Sequence, residues 1–116
     1  MDFVGVLFKI PAVIRGHLIR IVRHFFEKEK PVAVVCHGAE IVAAAGVIEG
    51  KRMATIPKCR MDIELCGATF VDEGCVRTGN MVSGRGWFDQ HLYMPEFMKM
   101  LIEAREGRSA KTSKAV

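Results

Sequence analysis

The amino-acid sequence predicts one α/β domain with a mainly parallel sheet. Half of the 116 residues are hydrophobic and the mean hydropathy is +0.19, so the chain can build a packed core. Short apolar, β-branched segments alternate with segments of helical periodicity, which is typical of strands joined by helices. The length fits one domain. These observations favour a globular protein over a disordered one.

The first half of the chain is predicted to hold two strands and two helices. Residues 3–8 are apolar and predict a short buried strand that ends before Pro11. Residues 13–28 predict a helix, with its apolar face formed by Ile14, Leu18, Ile21, Val22, Phe25 and Phe26. Residues 32–35 predict a strand buried on both faces. The alanine-rich segment 39–47 predicts a compact helix that is closed by Gly46 or Gly50.

The second half is predicted to contain shorter elements and one long helix. Strands are expected at residues 52–56, 68–71, 75–78 and 81–83, with a turn at Gly79-Asn80 before the last of them. A short helix is expected at residues 60–65, ending at Gly67. The last helix is expected at residues 88–103, with an apolar face made by Leu92, Phe97, Met98, Leu101 and Ile102.

The charge distribution argues against a nucleic-acid partner. The net charge is +4, and residues 105–116 carry four basic side chains and one acidic one, which leaves +1 for the rest of the chain. We therefore predict one domain over residues 1–104 and a basic, disordered tail over residues 105–116. No apolar run reaches the roughly 18 residues that span a bilayer, and residues 1–10 lack the basic leader and cleavage site of a signal peptide. These features predict a cytoplasmic protein with no membrane partner.

The four cysteines are expected to be free thiols. Cys36, Cys59, Cys66 and Cys75 form no C-x-x-C pair, and no paired histidines accompany them, so neither a metal site nor a cofactor is predicted. A cytoplasmic chain is also a poor setting for disulfides. We expect Cys59, Cys66 and Cys75 to act as packing residues.

Cys36 differs from the other cysteines because it lies between a predicted strand and a predicted helix. In parallel sheets, functional sites lie at the carboxyl ends of strands. Unpaired N–H groups and the dipole at a helix start favour an anion, which lowers the pKa of a thiol and makes it nucleophilic. The order Val35-Cys36-His37-Gly38 is thus a cysteine version of the nucleophile elbow. The alternatives are a cysteine that only packs and a His37 that only faces solvent.

Several segments resemble the DJ-one/PfpI superfamily, and they occur in the same order. Residues 30–52 are similar to its nucleophile region, and residues 66–73, residues 78–86 and the final helix follow; together the similarity spans roughly residues 14–104. The superfamily comprises intracellular protease- and amidase-like proteins, glyoxalase- and deglycase-like enzymes and stress-response relatives. The resemblance implies a flavodoxin-like three-layer sandwich.

The same resemblance implies roles for the elbow. Cys36 matches the family nucleophile, His37 matches the histidine proposed as its base, and the backbone N–H groups of His37 and Gly38 would hold an oxyanion. A small carbonyl compound, a peptide or an amide is the implied substrate. The predicted function is that of a cysteine-dependent hydrolase or glyoxalase-like enzyme.

The chain also departs from the family pattern. The family's first βαβ segment, which carries the glutamate that hydrogen bonds the cysteine, has no match in this chain. Pro11 is followed by Ala12 rather than by the family's Gly-Gly. No carboxylate lies between Asp2 and Glu27. We therefore expect an N-terminally shortened member, and the alternative function is a catalytically impaired stress, redox-sensing or scaffold protein. The apolar strand edge at residues 3–8 predicts self-association into a homo-oligomer.

Overall fold

The computed structural model of the chain describes residues 12–115, with side-chain environments for residues 13–107. The predicted strand at residues 3–8 lies outside the described residues. The elements, in chain order, are α1 (Ala12–Glu27), β1 (Val32–Val35), α2 (Gly38–Ala45), β2 (Arg52–Met53), α3 (Arg60–Leu65), β3 (Thr69–Phe70), β4 (Val76–Thr78), β5 (Met81–Gly84) and α4 (Gln90–Ala115). Single 3₁₀ turns at Pro57–Cys59 and Trp87–Asp89 precede α3 and α4.

The strands form two small sheets that contact each other. One has the order β1-β5-β4, with β1 parallel to β5 and β4 antiparallel to β5, and in the other β2 runs parallel to β3. The Ala54 N–H donates to Ser83 Oγ at 2.9 Å, and Thr78 Oγ1 donates to the Arg52 carbonyl at 2.6 Å. These side-chain bonds hold the segment around β2 against β4 and β5. The strand predicted at residues 52–56 is shorter than expected because Ala54 bonds a side chain there.

Glycines close α2 and α3, as the sequence predicted. Gly46 follows α2 with φ 73°, the left-handed conformation in which its N–H reaches back to the Ala43 and Val42 carbonyls. Gly67 follows α3 with φ 90°. Glu29, near the end of α1, also has a left-handed φ of 52°, although it is not glycine.

The main core lies between α2, β1, β2 and α3, and α1 covers only part of it. Fully buried Ile48, Met53 and Ile63 are among its members, and Val22 and Phe26 of α1 pack against it. The wider apolar face predicted for α1 is wrong at three positions, which are exposed: Ile14, Ile21 and Phe25. These side chains point away from the core because α1 contacts the domain along one narrow stripe.

The buried face of α4 differs from the predicted one. Tyr93 and Met100 are buried against Val82, and Met94 and Phe97 pack partly beside them. Of the predicted face only Phe97 is correct, since the remaining four residues are exposed: Leu92, Met98, Leu101 and Ile102. The helix carries apolar residues on two sides, and contact with β5 selects one of them.

The second half of α4 reaches beyond the predicted helix end. Arg77 of β4 pairs with Glu96 at 3.3 Å and with Glu103, and these ion pairs hold α4 against β4. The helix then continues to Ala115. Residues 105–115 thus belong to this helix, and the basic, disordered tail expected there stays a prediction. The division of the chain at residue 104 stays a prediction. Over the described part of the chain, no helix has the length and apolar character needed to cross a membrane.

Candidate active site

Cys36 occupies the sharp turn between β1 and α2, as the sequence predicted. Its φ is 57°, a left-handed conformation that costs a residue with a Cβ roughly 1–2 kcal/mol. Hydrogen bonds hold both sides of this residue: its N–H donates to the Gly84 carbonyl of β5 at 3.3 Å, and its carbonyl accepts from Thr55 Oγ1 at 2.9 Å. The unfavourable backbone conformation is therefore retained by contacts with two neighbouring segments.

The thiol of Cys36 and the imidazole of His37 are within hydrogen-bond distance. Cys36 Sγ lies 3.2 Å from His37 Nδ1, and both residues are half-buried. A neutral Nδ1 can accept the thiol proton, and the resulting imidazolium would stabilise the thiolate beside it. The structure thus brings together the two side chains that the sequence singled out.

The start of α2 presents backbone N–H groups next to this thiol. The Ala39 N–H is directed to the Cys36 carbonyl at 3.5 Å, and the Glu40 N–H donates to the His37 carbonyl at 3.0 Å. Within residues 12–115, the N–H groups of His37 and Gly38 donate no backbone hydrogen bond. They are in the position expected for groups that receive an anion at a helix start.

A buried polar cluster lies beneath the elbow, and sequence reasoning missed it. Glu40 of α2, Thr55 after β2 and Cys59 before α3 are 8%, 0% and 2% exposed, respectively. Burial raises the pKa of Cys59 to about 12, with further contributions from its hydrogen bond to Glu40 and the charge of Glu40, while Thr55 opposes the shift. Cys59 is therefore a protonated, unreactive thiol at neutral pH. The three residues of this polar cluster come from separate segments, and no sequence motif indicates that they contact one another.

A group of charged side chains lies near the elbow, at the carboxyl ends of β1 and β5. Because Val35 pairs with Gly84, Arg85 follows β5 where Cys36 follows β1. Arg85 donates to Asp89 Oδ2 through its backbone N–H at 3.1 Å and through Nε at 2.9 Å, and Nη2 reaches Oδ1 at 3.0 Å. Its Nη1 also contacts Asp72 at 3.2 Å. The guanidinium lowers the pKa of Asp89, and these ion pairs tie the start of α4 to the end of β5.

The other cysteines occupy three different environments, and none is in a disulfide. Cys59 is buried and Cys75 is half-buried, but Cys66 is exposed at the end of α3, so its expected packing role is wrong. Among the residues that the structure describes, no group of three or more His, Cys, Asp or Glu side chains could hold a metal ion.

Comparison with known proteins gives consistent similarities. The profile of the DJ-1/PfpI family matches residues 10–104. A deglycase from Thermococcus kodakarensis is 36% identical over 95 residues, covering 80% of this chain and 57% of the relative. A deglycase from Pyrococcus horikoshii is 39% identical over 83 residues, covering 72% and 50%, respectively. The chain thus spans about half the length of these two relatives.

Solved structures support the fold. A two-domain protein with DJ-1/ThiJ/PfpI-like and ferritin-like domains from Anabaena variabilis aligns with a TM-score of 0.70 and 28% identity, over 72% of this chain and 25% of that one. A ThiJ/PfpI domain protein from Brachyspira murdochii aligns with a TM-score of 0.70 and 20% identity, over 74% and 50%. The predicted α/β, flavodoxin-like class is confirmed by these similarities.

Proposed function

The chain belongs to the DJ-1/PfpI family, and on this premise we propose that Cys36 is the nucleophile of a cysteine-dependent hydrolase or deglycase-type reaction, with His37 as its base. The observation that carries the proposal is the 3.2 Å contact between Cys36 Sγ and His37 Nδ1 at a strained strand-to-helix turn. Relatives named deglycases, including those of Thermococcus kodakarensis and Pyrococcus horikoshii, support the class of reaction. The substrate class is a small carbonyl compound, a peptide or an amide.

The proposed first step is a proton transfer coupled to attack on a carbonyl. The thiol proton of Cys36 passes to His37 Nδ1, and the sulfur lone pair forms a C–S bond with the carbonyl carbon. The carbonyl π electrons move to the oxygen, where the N–H groups of His37 and Gly38 can donate to it. With an amide, collapse of this adduct expels the amine, which takes the proton back from His37, and water then hydrolyses the thioester.

Substitution of the two side chains tests this proposal. Cys36→Ala is expected to reduce turnover of methylglyoxal and of a peptide amide to background, because no C–S bond can form. His37→Ala is expected to lower the rate by about 10²–10⁴, the range that a positioned base contributes. Cys66→Ala is the matched control, because it removes an exposed thiol far along the chain. Equal rates for wild type and Cys36→Ala on both substrates would end the enzyme proposal.

The alternative is a redox-sensing or scaffold member whose Cys36 is oxidised without turnover. The departure from the family pattern after Pro11, where Ala12 and Val13 stand in place of Gly-Gly, favours it, since reaction with peroxide needs a reachable thiolate but no oxyanion-binding groups. Mass spectrometry after mild peroxide treatment would show sulfenic acid at Cys36 before any change at buried Cys59. Under this alternative, oxidation occurs although neither substrate is consumed.

We propose that the protein self-associates into a homo-oligomer. The apolar strand predicted at residues 3–8 supports this proposal, because an unpaired strand edge invites pairing with another chain. Sedimentation that shows only monomer at micromolar concentration would contradict this proposal. Cytoplasmic location stays a prediction from the sequence.

A further inference from the structure

Thr55 has a fully buried hydroxyl that the proposed chemistry does not use. It lies two residues after β2, and its Oγ1 donates to the Cys36 carbonyl at 2.9 Å. The preceding residue is itself fixed, because the Ala54 N–H donates to the buried Ser83 Oγ of β5 at 2.9 Å. The hydroxyl is therefore aimed at the elbow by a backbone that cannot easily shift.

The conformation of Cys36 needs support from both of its peptide groups. On the amino side, its N–H bonds the Gly84 carbonyl at 3.3 Å, a main-chain contact that no side-chain change removes. On the carbonyl side, the Ala39 N–H lies at 3.5 Å, the outer limit for a hydrogen bond, so the 2.9 Å bond from Thr55 is the stronger one. Among residues 12–115, no other hydrogen bond to this carbonyl is as short, so the bond from Thr55 does most to hold it while φ remains at 57°.

We propose that Thr55 is a positioning residue for the Cys36 nucleophile: by holding the Cys36 carbonyl, its hydroxyl keeps Sγ in contact with His37 Nδ1. The inference rests on the proposed function only in taking Cys36 as the reactive thiol. The Thr55 side chain also lies beside the Cys59 thiol, which hydrogen bonds Glu40. The hydroxyl is thus part of a buried polar cluster under the elbow, and its removal would leave the Cys36 carbonyl less firmly held.

The test measures alkylation of Cys36 by iodoacetamide at neutral pH, relative to exposed Cys66 in the same molecule, by peptide mass spectrometry. Thr55→Val is expected to lower the Cys36/Cys66 rate ratio about five- to tenfold, as loss of one buried hydrogen bond would. Thr55→Ser keeps the hydroxyl and should restore the ratio to within about twofold of wild type. Thr55→Ala repeats the loss of the hydroxyl without placing a methyl group against the Cys36 carbonyl, in case Thr55→Val does not fold.

Thr78→Val is the matched control. Thr78 Oγ1 also donates to a backbone carbonyl, that of Arg52 at 2.6 Å, but the bond joins β4 to β2 and not to the elbow. This variant should leave the Cys36/Cys66 ratio unchanged. A ratio that stays at the wild-type value in folded Thr55→Val or Thr55→Ala would overturn the inference. So would an equal fall in Thr78→Val, since it would indicate general loosening.

The same data separate this inference from the proposed function. If wild-type Cys36 reacts no faster than Cys66, and Cys36→Ala retains full turnover, the proposed function fails. If wild-type Cys36 is fast and Thr55→Val is equally fast, only the positioning role fails. Rescue by Thr55→Ser is the result that a residue serving only to fill space would not give.

Discussion

Replacing Gly84 with alanine should destabilise the protein, although it adds only one methyl group. Gly84 is the last residue of β5 and is buried, and its carbonyl accepts a hydrogen bond from the Cys36 N–H. A Cβ at this position would lie 2.4 Å from Tyr93 Cδ1 and 3.2 Å from the Gly74 carbonyl oxygen. The close approach of the Tyr93 ring to the β5 backbone therefore requires glycine here.

The size of the effect follows from these distances. Carbon atoms in contact normally lie about 3.5–4.0 Å apart, so the ring must move by about 1 Å. Tyr93 is only 7% exposed and packs with Val82 and Met100, which limits its movement. Overpacking of a well-packed core costs about 1–3 kcal/mol, and we expect the upper half of that range, because a backbone carbonyl blocks the other side.

Urea unfolding followed by far-ultraviolet circular dichroism measures the change, and Gly16→Ala provides the matched control. Gly16 lies on α1, where a Cβ would meet no atom within 4 Å, so the same substitution should stabilise by about 0.5–1 kcal/mol. Tyr93→Leu combined with Gly84→Ala should cost less than the sum of the two, because the smaller side chain leaves room. A Gly84→Ala protein within about 0.5 kcal/mol of wild type would refute the reasoning.

Three further predictions concern groups whose environments differ from what their residue types suggest. In the native protein near pH 8, iodoacetamide should label exposed Cys66 and spare Cys59, whose pKa burial raises to about 12; equal labelling seen by mass spectrometry before unfolding would contradict this. The pKa of Asp89 is lowered by Arg85, so its contribution to stability is present above its ordinary value near pH 4 and is lost as pH falls through the lowered value. Urea midpoints measured on acidification should therefore fall more steeply for wild type than for Asp89→Asn, and parallel curves would exclude this role. Glu29→Gly should raise the free energy of unfolding by roughly 0.5–1 kcal/mol, because Glu29 has a left-handed φ of 52° at the end of α1; a lower thermal midpoint would contradict it.

Elements with strong local signals were predicted well from sequence. The strand at residues 32–35 and the short helix at residues 60–65 have the expected bounds, because proline, glycine and a change of apolar period mark their ends. The buried face of α4 could not be predicted in this way. Leu92 and Tyr93 are adjacent, and contact with Val82 and Gly84 of β5 decides that Tyr93 is the buried one.

The candidate site also contains residues that the sequence could predict and residues that it could not. Cys36 and His37 are neighbours in one short segment, so a strand-to-helix turn and two residue types suffice to identify them. Thr55 and Cys59 lie 19 and 23 positions after Cys36, and they approach the elbow only when β2 docks on β5. A pattern within one segment contains no information about such a contact.

The reactivity of the Cys36 thiol and the turnover of a substrate depend on different groups of the protein. The amino side of Cys36 is held by β5, its carbonyl is held by Thr55, and Nδ1 of the next residue, His37, lies 3.2 Å from its sulfur. Turnover needs more, since residues must also bind the substrate and stabilise its oxyanion. This chain spans about half the length of its deglycase relatives. Alkylation of Cys36 therefore tests the elbow by itself, whereas substrate consumption tests whether the chain also supplies the groups that face it. A fast thiol in a protein that consumes neither substrate would assign the elbow to sensing rather than to catalysis.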